Sequence, residues 1–362
     1  MKTIGVITMY RRNYGAFLQA YALQKKLEEY GYHAELIRYD YYKDRSLLEI
    51  PLCNFKTNFK GSVKALIVTI LRYSGIQKRK RVFDKSIEKN LKESKKYYRT
   101  YSALKKDPPV YDIYLTGSDQ VFNPNLTPHA SPSRLLCFAN SGKKVSYAAS
   151  AGTTCFFDSH DAFLCEQLSK FQFVSVREEP LRQYLMEKHK ILAQRHIDPT
   201  LLLSAEEWLS FSCSQFPRNG YILYYRISKQ KQVYDAALRL SKETGLPVLV
   251  ADGKDSFPTE LKKSGILSPE EWVGAFVNAA YVVTNSFHGT AFSINFHKKA
   301  LVVLPPKNQE RIENLLLNCK LNRLLDPTPI SDEEAATMFE EADSFFDKER
   351  ERAKEYLLSM GE

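Results

Sequence analysis

The sequence predicts an α/β fold in which parallel β-sheets are covered by helices. Short apolar runs typical of buried strands alternate with longer segments of helical periodicity, and this alternation favours parallel strand pairing. The pattern occurs in two similar halves, which the stretch Asp198-Pro199-Thr200 separates. A chain of 362 residues with 44% apolar and 26% charged residues is long enough for two domains with buried cores.

The first half begins with a strand at residues 4–9, a turn at 10–15, a helix at 16–30 and a strand at 33–40. Apolar residues at helical spacing mark the helix, and Gly31 is suited to end it. The pattern resumes after residue 110 with strands at 111–116, 144–150, 173–176 and 196–197 and helices at 161–170 and 180–188. We therefore assign residues 1–200 to an N-terminal domain.

Residues 45–106 interrupt the first half with a basic insertion. From Lys60 to Lys106 there are fifteen Lys or Arg against three acids, so this segment carries +12 and the rest of the chain about −2. Apolar residues at helical spacing predict one helix around 63–71 and another around 82–91, whose apolar faces cover part of the sheet. Such a local charge suggests contact with an anionic lipid surface or substrate rather than nucleic acid, or simply two solvated helices.

The second half follows a connection at residues 199–219 and repeats the alternation. Its predicted elements are strands at 221–226, 248–251, 281–284 and 300–304 and helices at 230–244, 269–279 and 289–297. We assign residues 209–330 to a C-terminal domain. Ser331 and Glu334 then form a capping-box pattern before a long helix at 331–362, which we expect to pack back across both domains.

Several kinds of chemistry have no motif in this chain. The sequence contains no GxGxxG, GxxxxGK[ST], HExxH or GxSxG pattern and no pair of aspartates two residues apart. These absences favour a metal-independent enzyme without a bound cofactor. The six cysteines form no CxxC pair, the start does not resemble a signal peptide, and no apolar run reaches the length of a membrane span. We therefore expect a cytoplasmic protein with reduced thiols.

Polar residues gather in loops that follow predicted strands, where ligands bind in open α/β sheets. In the last of these loops, His288 and Gly289 open a predicted helix whose first N–H groups favour an anion, and a histidine there can donate a proton. Structural alternatives remain open, such as a capping Asn13 or an ion pair between Arg177 and Glu178 or Glu179. The candidate site residues are Asn13, Tyr14, Gly15, Gly117, Ser118, Asp119, Gln120, Arg177, Arg226, Asn285, Ser286, His288, Gly289 and Thr290.

The motifs in these loops resemble those of the polysaccharide pyruvyl transferase family. They occur in order over about 300 residues and leave the basic insertion and the tail uncovered. The matching stretches are N-Y-G-A (13–16), L-Q-A-Y-A-L (18–23), G-S-D-Q-V-F-N-P (117–124), K-V-S-Y-A-A-S (144–150), S-V-R-E (175–178), D-P-T (198–200) and T-N-S-F-H-G-T (284–290).

The resemblance implies two Rossmann-like domains arranged as in GT-B glycosyltransferases, with the site in the cleft between them. It also implies transfer of pyruvate from phosphoenolpyruvate, a co-substrate, to a sugar as a ketal. In that reaction His288 is the candidate general acid, Arg177 holds the donor anion, and Asp119 deprotonates or orients an acceptor hydroxyl. Family members commonly carry arginine two residues before this histidine, where this chain has Ser286, and Arg177, Arg226 or Arg11-Arg12 are candidates to replace it.

We therefore expect a cytoplasmic transferase that modifies a cell-surface or exopolysaccharide precursor. Its partners would be phosphoenolpyruvate and a sugar or lipid-linked saccharide, with no nucleic acid. The basic insertion would permit peripheral contact with an anionic membrane at its inner face. Two alternatives are a GT-B glycosyltransferase with a nucleotide-sugar donor and a non-catalytic sugar-binding member of the family.

Overall fold

The N-terminal part of the chain forms a parallel sheet, as the sequence predicts. This computed structural model describes residues 1–39, 59–123, 131–152, 158–213, 215–252, 262–328 and 330–362. The first four strands of the N-terminal sheet lie in the order β2-β1-β3-β4. These strands are β1 (Thr3–Ile7), β2 (His33–Leu36), β3 (Ile113–Thr116) and β4 (Lys143–Ser146). Two further parallel strands, β5 (Val174–Val176) and β6 (Ala193–Arg195), continue beyond β4 through bridges such as that between Val145 and Phe173.

The C-terminal part forms a second parallel sheet in the order β11-β10-β7-β8-β9. Its strands are β7 (Ile222–Tyr225), β8 (Val248–Val250), β9 (Lys262–Lys263), β10 (Tyr281–Thr284) and β11 (Lys299–Val302). The central strand β7 is buried along its whole length, as expected for a strand covered on both faces. All neighbouring strands run in the same direction, so their carboxyl ends meet at one edge of each sheet.

Helices cover both sheets. In the first part they are α1 (Tyr14–Glu29), α2 (Phe59–Asn90), α3 (Tyr101–Lys106), α4 (Ser131–Arg134), α5 (Asp158–Leu168) and α6 (Glu179–His189). Those that follow are α7 (Ala205–Phe211), α8 (Lys231–Thr244), α9 (Pro269–Asn278), α10 (Phe287–Asn295), α11 (Glu310–Asn318) and α12 (Asp332–Ser359), with 3₁₀ turns at Pro199–Leu201 and Asn322–Leu325. Most observed bounds of the predicted elements lie within three residues of the predicted ones. The helices α3, α4, α7 and α11 and the strand β9 have no predicted counterpart.

The basic insertion differs from its prediction of two helices around 63–71 and 82–91. One continuous helix, α2, spans 32 residues and joins the two predicted segments, because the polar stretch between them contains no proline to stop a helix. Phe83 and Ile87 on its second half are buried against α1. Ser86 donates a hydrogen bond to Glu270 of α9 at 2.8 Å, so the insertion also contacts the C-terminal sheet's helices. Predicted positions 45–58 lie outside the described residues.

The C-terminal helix α12 packs back across both parts of the chain, as predicted. Ser331 caps its start by accepting a hydrogen bond from the Glu334 N–H at 3.0 Å. Further along, the Tyr356 hydroxyl donates to the Ser146 carbonyl at the end of β4 at 2.7 Å. Near its start Asp332 pairs with Lys299 of β11 at 2.7 Å. The helix therefore ties the last strand of the second sheet to the first sheet.

Candidate active site

A cavity of about 240 Å³, here called the histidine cavity, lies where the carboxyl ends of β1, β3, β7 and β10 come together. Its position agrees with the rule that open α/β sheets bind ligands beyond the carboxyl ends of their strands. Both parts of the chain supply its walls. The lining residues are Met9, Asn13, Ala16, Asp119, Gln120, Tyr225, Ile227, Ser286, Phe287, His288 and Arg311.

The first turn of α10 places His288 in this cavity. The helix begins at Phe287 rather than at the predicted residue 289, because Ser286 acts as its N-cap and accepts a hydrogen bond from the Gly289 N–H at 3.3 Å. The imidazole lies against Gly15 of α1, where a Cβ atom would come within 2.0 Å of His288 Nδ1. Glycine at position 15 is therefore required for the histidine to occupy this place.

The free site favours the neutral form of His288. Burial is the strongest influence and lowers the pKa of His288 below its usual value, although the carboxylates of Asp198 and Asp119 oppose the shift. The Nε2 atom has no hydrogen-bond partner and lies 3.8 Å from Asp198 Oδ2. An anion bound beside the ring would add a third negative charge and favour protonation.

Asp198 organises the inner wall, a role that the sequence did not reveal. Its buried carboxylate accepts hydrogen bonds from the Thr200 N–H at 3.0 Å and from the Ser118 hydroxyl at 3.2 Å. Burial alone raises the pKa of Asp198, but His288, Arg177 and the Thr200 hydrogen bonds together lower it below its usual value. The group is thus a fixed negative charge behind the histidine.

Arg177 takes part in buried ion pairs. Its Nε donates to Glu178 at 2.9 Å and its Nη1 donates to Asp198 at 2.6 Å, so the ion-pair alternative with Glu178 is realised. Although burial alone lowers the pKa of Arg177, these two carboxylates raise it above its usual value. The guanidinium lies 4.3 Å from the centre of the Phe287 ring. It does not line the histidine cavity but a smaller cavity next to it.

Asp119 reaches the cavity from the end of β3. Its backbone φ is +68°, a conformation that costs energy for a residue other than glycine. The Asp119 carbonyl accepts hydrogen bonds from the N–H groups of Ser150 and Val121, at 2.9 Å and 2.7 Å, which hold this turn in place. The turn aims a half-buried carboxylate at the cavity that contains His288.

The other candidate residues fall into two groups. Asn13, Gln120 and Ser286 line the histidine cavity, and Gly15 supports the histidine. The remaining candidates do not line it, and the structure gives many of them contacts within the fold; for example, the Asn285 amide binds the loop after β7 through Ile227 and Ser228. These remaining candidates are Tyr14, Gly117, Ser118, Arg177, Arg226, Asn285, Gly289 and Thr290. Whether any of them binds substrate stays a prediction.

Arg311 is a cavity residue that the sequence analysis missed. It lies at the start of α11, a helix that was not predicted, and no motif surrounds it. Its two terminal nitrogens lie 3.2 Å from the Gln120 amide, which accepts from both when its oxygen faces them. The helical spacing of Ile312, Leu315 and Leu316, which are buried, could have indicated this helix but not the direction of its first arginine.

A second, larger cavity of about 350 Å³, here called the arginine cavity, lies on the other side of the loop 9–13. Arg11 and Arg12 of this loop line it, whereas Met9 and Asn13 line the histidine cavity. Arg11 pairs with Glu93, and the Arg38 guanidinium lies 5.2 Å from the centre of the Tyr97 ring. The full lining is Arg11, Arg12, Arg38, Lys80, Phe83, Asp84, Ile87, Glu88, Glu93 and Tyr97.

A sequence model of polysaccharide pyruvyl transferases matches residues 13–306, which is well over half of the chain. The chain belongs to the polysaccharide pyruvyl transferase family. The match includes the segments that carry Asp119, Arg177 and His288, and it ends before Arg311. No curated protein matches the sequence significantly.

Solved structures show how this pyruvyl transferase family member is built. An S. aureus MnaA–UDP co-structure superposes with a TM-score of 0.52 at 13% identity over 99% of this chain and 91% of that chain. A putative UDP-N-acetylglucosamine 2-epimerase from Listeria monocytogenes gives 0.51 at 8% identity, over 93% and 94% of the two chains. These similarities confirm the predicted GT-B-like arrangement of parallel α/β sheets.

Within the described residues of this family member, one group of side chains away from the histidine cavity offers the ligand atoms of a metal site. Asp161, Cys165 and His189 offer ligand atoms within 4.8 Å of one another on α5 and α6. Lys188 already pairs with Asp161 at 2.7 Å, which places a competing cation there.

No helix in the described part of the chain is long and apolar enough to cross a membrane.

Proposed function

We propose that the protein transfers pyruvate from phosphoenolpyruvate to two hydroxyls of a sugar, forming a ketal and releasing phosphate. The observation that carries this proposal is the placement of His288: a buried imidazole whose Nε2 has no hydrogen-bond partner, facing a cavity that also contains the Asp119 carboxylate. Membership of the pyruvyl transferase family supports the reaction class. The group transferred and its donor are our proposal.

The reaction needs one proton donor and one proton acceptor. Protonation of the methylene carbon of phosphoenolpyruvate turns C2 into an electrophile, and the first acceptor hydroxyl adds there and loses its proton. The bond between C2 and the phosphate oxygen then breaks, and the second hydroxyl adds at C2. Of the two hydroxyl protons, one replaces the proton that entered the methyl group and the other leaves with phosphate.

In this scheme His288 donates the proton to carbon and Asp119 accepts a proton from the sugar. The free site keeps His288 neutral, so donation requires the anionic donor to bind first and raise its pKa. Asp198 acts as a positioning residue, because its ion pair with Arg177 holds its carboxylate 3.8 Å from His288 Nε2. Binding the donor and the two reacting hydroxyls of the acceptor in the histidine cavity supplies the orientation that two successive additions need.

We place the body of the saccharide acceptor in the arginine cavity, from which its two reacting hydroxyls reach past the loop 9–13 into the histidine cavity beside Asp119. Its lining combines four cations with the carboxylates of Asp84, Glu88 and Glu93, so its charge is nearly balanced. Alternating donors and acceptors beside an aromatic ring suit a saccharide, whose hydroxyls bind both kinds of group. The volume of 350 Å³ lies within the range of small-molecule sites.

The basic helix α2 borders this cavity, and we propose that it brings a lipid-linked acceptor from the inner face of an anionic membrane. Lys78 and Arg81 are exposed, whereas Arg79 is buried in an ion pair with Asp252 at 2.6 Å. Contact with lipid headgroups would therefore involve the exposed cations and not the whole stretch 78–81. This refinement limits the residues that a binding test needs to change.

The test is a phosphate-release assay with phosphoenolpyruvate and a library of sugar acceptors. We expect His288→Gln, which keeps a polar side chain of similar size, to lower kcat by about 10²–10⁴-fold, the usual contribution of a positioned general acid. A folded His288→Gln variant with near-normal turnover would refute the assigned role. A melting temperature raised by UDP- or GDP-sugars and not by phosphoenolpyruvate would instead favour a glycosyltransferase. A melting temperature that neither ligand raises would favour a non-catalytic binding protein.

A further inference from the structure

Arg311 is a buried cation without a partner of opposite charge. Its side chain is only 9% exposed, and its Nε has no hydrogen-bond partner. Across the described residues no carboxylate lies within ion-pair distance of it; its neighbours are the neutral Gln120 amide and the face of Phe287, 5.8 Å from the guanidinium carbon. Burying an unpaired charge is costly, so a protein keeps one where a ligand supplies the missing charge.

A second guanidinium increases this cost. Arg177 lies over the same Phe287 ring at 4.3 Å, and after burial its positive charge is the next largest influence that lowers the pKa of Arg311. The charge of Arg177 is balanced by Glu178 and Asp198, whereas Arg311 has only more distant acids. Two like charges held together in a buried place indicate that an anion completes the arrangement.

Three nitrogen atoms around Phe287 are buried without a partner: Arg177 Nη2, His288 Nε2 and Arg311 Nε. Arg311 and Phe287 line both the histidine cavity and the smaller cavity that Arg177 borders. The three nitrogens therefore belong to one continuous region of the site. A ligand with several acceptor oxygens would satisfy them together.

We propose that Arg311 is the anion-recognition residue of the histidine cavity and binds the carboxylate or phosphate oxygens of the donor. The assignment rests on the proposed function for the identity of that donor. The planar fork of arginine holds two oxygens at once, which suits both groups. Ser286, at the position that is commonly arginine in the family, is occupied as the cap of α10, and Arg311 reaches the same cavity from α11 instead.

The test measures anion binding and stability in the full-length protein. The probes are inorganic phosphate, pyruvate and phosphoenolpyruvate, with Arg311→Gln, Arg311→Lys and, as a matched control, Arg182→Gln, whose arginine pairs with Glu179 away from both cavities. We expect Arg311→Gln to weaken binding of phosphoenolpyruvate at least tenfold, Arg311→Lys to weaken it less, and the control to bind like the wild type. Comparing phosphate with pyruvate shows which donor group the guanidinium holds.

Stability without ligand separates recognition from a purely structural role. Because Arg311→Gln removes an unpaired buried charge, we expect its melting temperature without anions to equal or exceed that of the wild type. A lower melting temperature together with unchanged anion affinity would overturn the assignment, as would failure of all three anions to stabilise the wild type.

The outcomes also separate this assignment from the proposed function. Arg311-dependent anion binding without any phosphate release would leave the anion site standing and remove pyruvyl transfer. Phosphate release with an unchanged KM for phosphoenolpyruvate in Arg311→Gln would support pyruvyl transfer and remove the anion site at Arg311.

Discussion

The contact between Gly15 and His288 allows a test in which a single methyl group displaces the proposed acid. In Gly15→Ala the new Cβ would lie 2.0 Å from Nδ1, whereas ordinary contacts begin at 3.4 Å. The ring must therefore withdraw by about 1.4 Å, the difference between these two distances. Because a misplacement of about 1 Å costs on the order of 10²-fold in rate, we expect kcat to fall by at least that factor, or about 2.7 kcal/mol in the barrier.

The assay is phosphate release at saturating phosphoenolpyruvate, with thermal unfolding measured in parallel. Overpacking of a buried site costs about 1–3 kcal/mol of stability, so the variant is expected to remain folded but less stable. Gly75→Ala is the matched control, because a Cβ at this position in α2 meets nothing within 4 Å. Alanine favours a helix interior over glycine by about 0.5–1 kcal/mol, so the control should be active and slightly more stable. Wild-type kcat in Gly15→Ala would refute the reasoning.

Three other measurements test the fold and the proposed acceptor path. Burial lowers the pKa of His196 to about 3, so as the pH falls below about 6.5 only the unfolded chain binds a proton there. Lowering the pH from 7.5 to 4.5 should therefore reduce the free energy of unfolding of the wild type by about 2.7 kcal/mol through this group. In urea titrations, His196→Gln should lack most of this loss. Replacing the exposed Lys78 and Arg81 by glutamine should weaken binding to anionic vesicles by about 1 kcal/mol per residue, and unchanged binding would exclude the membrane contact. Tyr97→Ala should raise the KM for the acceptor and leave that for phosphoenolpyruvate unchanged; the opposite pattern would place the acceptor elsewhere.

Local sequence patterns were sufficient to predict the position of a residue where that position depends on its immediate neighbours in the chain. Strand β10 occupies the predicted residues 281–284, because its aromatic and β-branched residues favour a strand and polar residues follow from Asn285. The rule that ligands bind at the carboxyl ends of strands selected Asn13, Asp119, Gln120 and His288, which all line one cavity. These residues lie in the loop or the first helical turn that comes after a strand, so a correct order of elements was enough to bring them together.

Roles that depend on packing between distant segments could not be predicted in this way. Arg177 follows a strand as expected and pairs with Glu178, one of the two alternatives that the sequence offered, but its second pairing with Asp198 became visible only in the fold. Arg311 lies in the first turn of the amphipathic helix α11, and nothing in its local sequence indicates that Gln120 and Phe287 would lie beside it. A charge without a partner is a property of the folded molecule.

The site exists only because the two parts of the chain pack closely against each other. Gly15 comes from the first helix of the N-terminal sheet and His288 from the C-terminal sheet, so their contact depends on the interface between them. Buried side chains form specific contacts across that interface: the Tyr14 ring stacks on Trp272 at 5.5 Å, and the Tyr14 hydroxyl donates to the Leu267 carbonyl at 2.9 Å. Tyr14, a candidate substrate ligand, therefore contributes to the site by fixing the position of its neighbour Gly15. A loss of the tyrosine ring should accordingly reduce kcat through displacement of the histidine, even though the ring does not line the cavity.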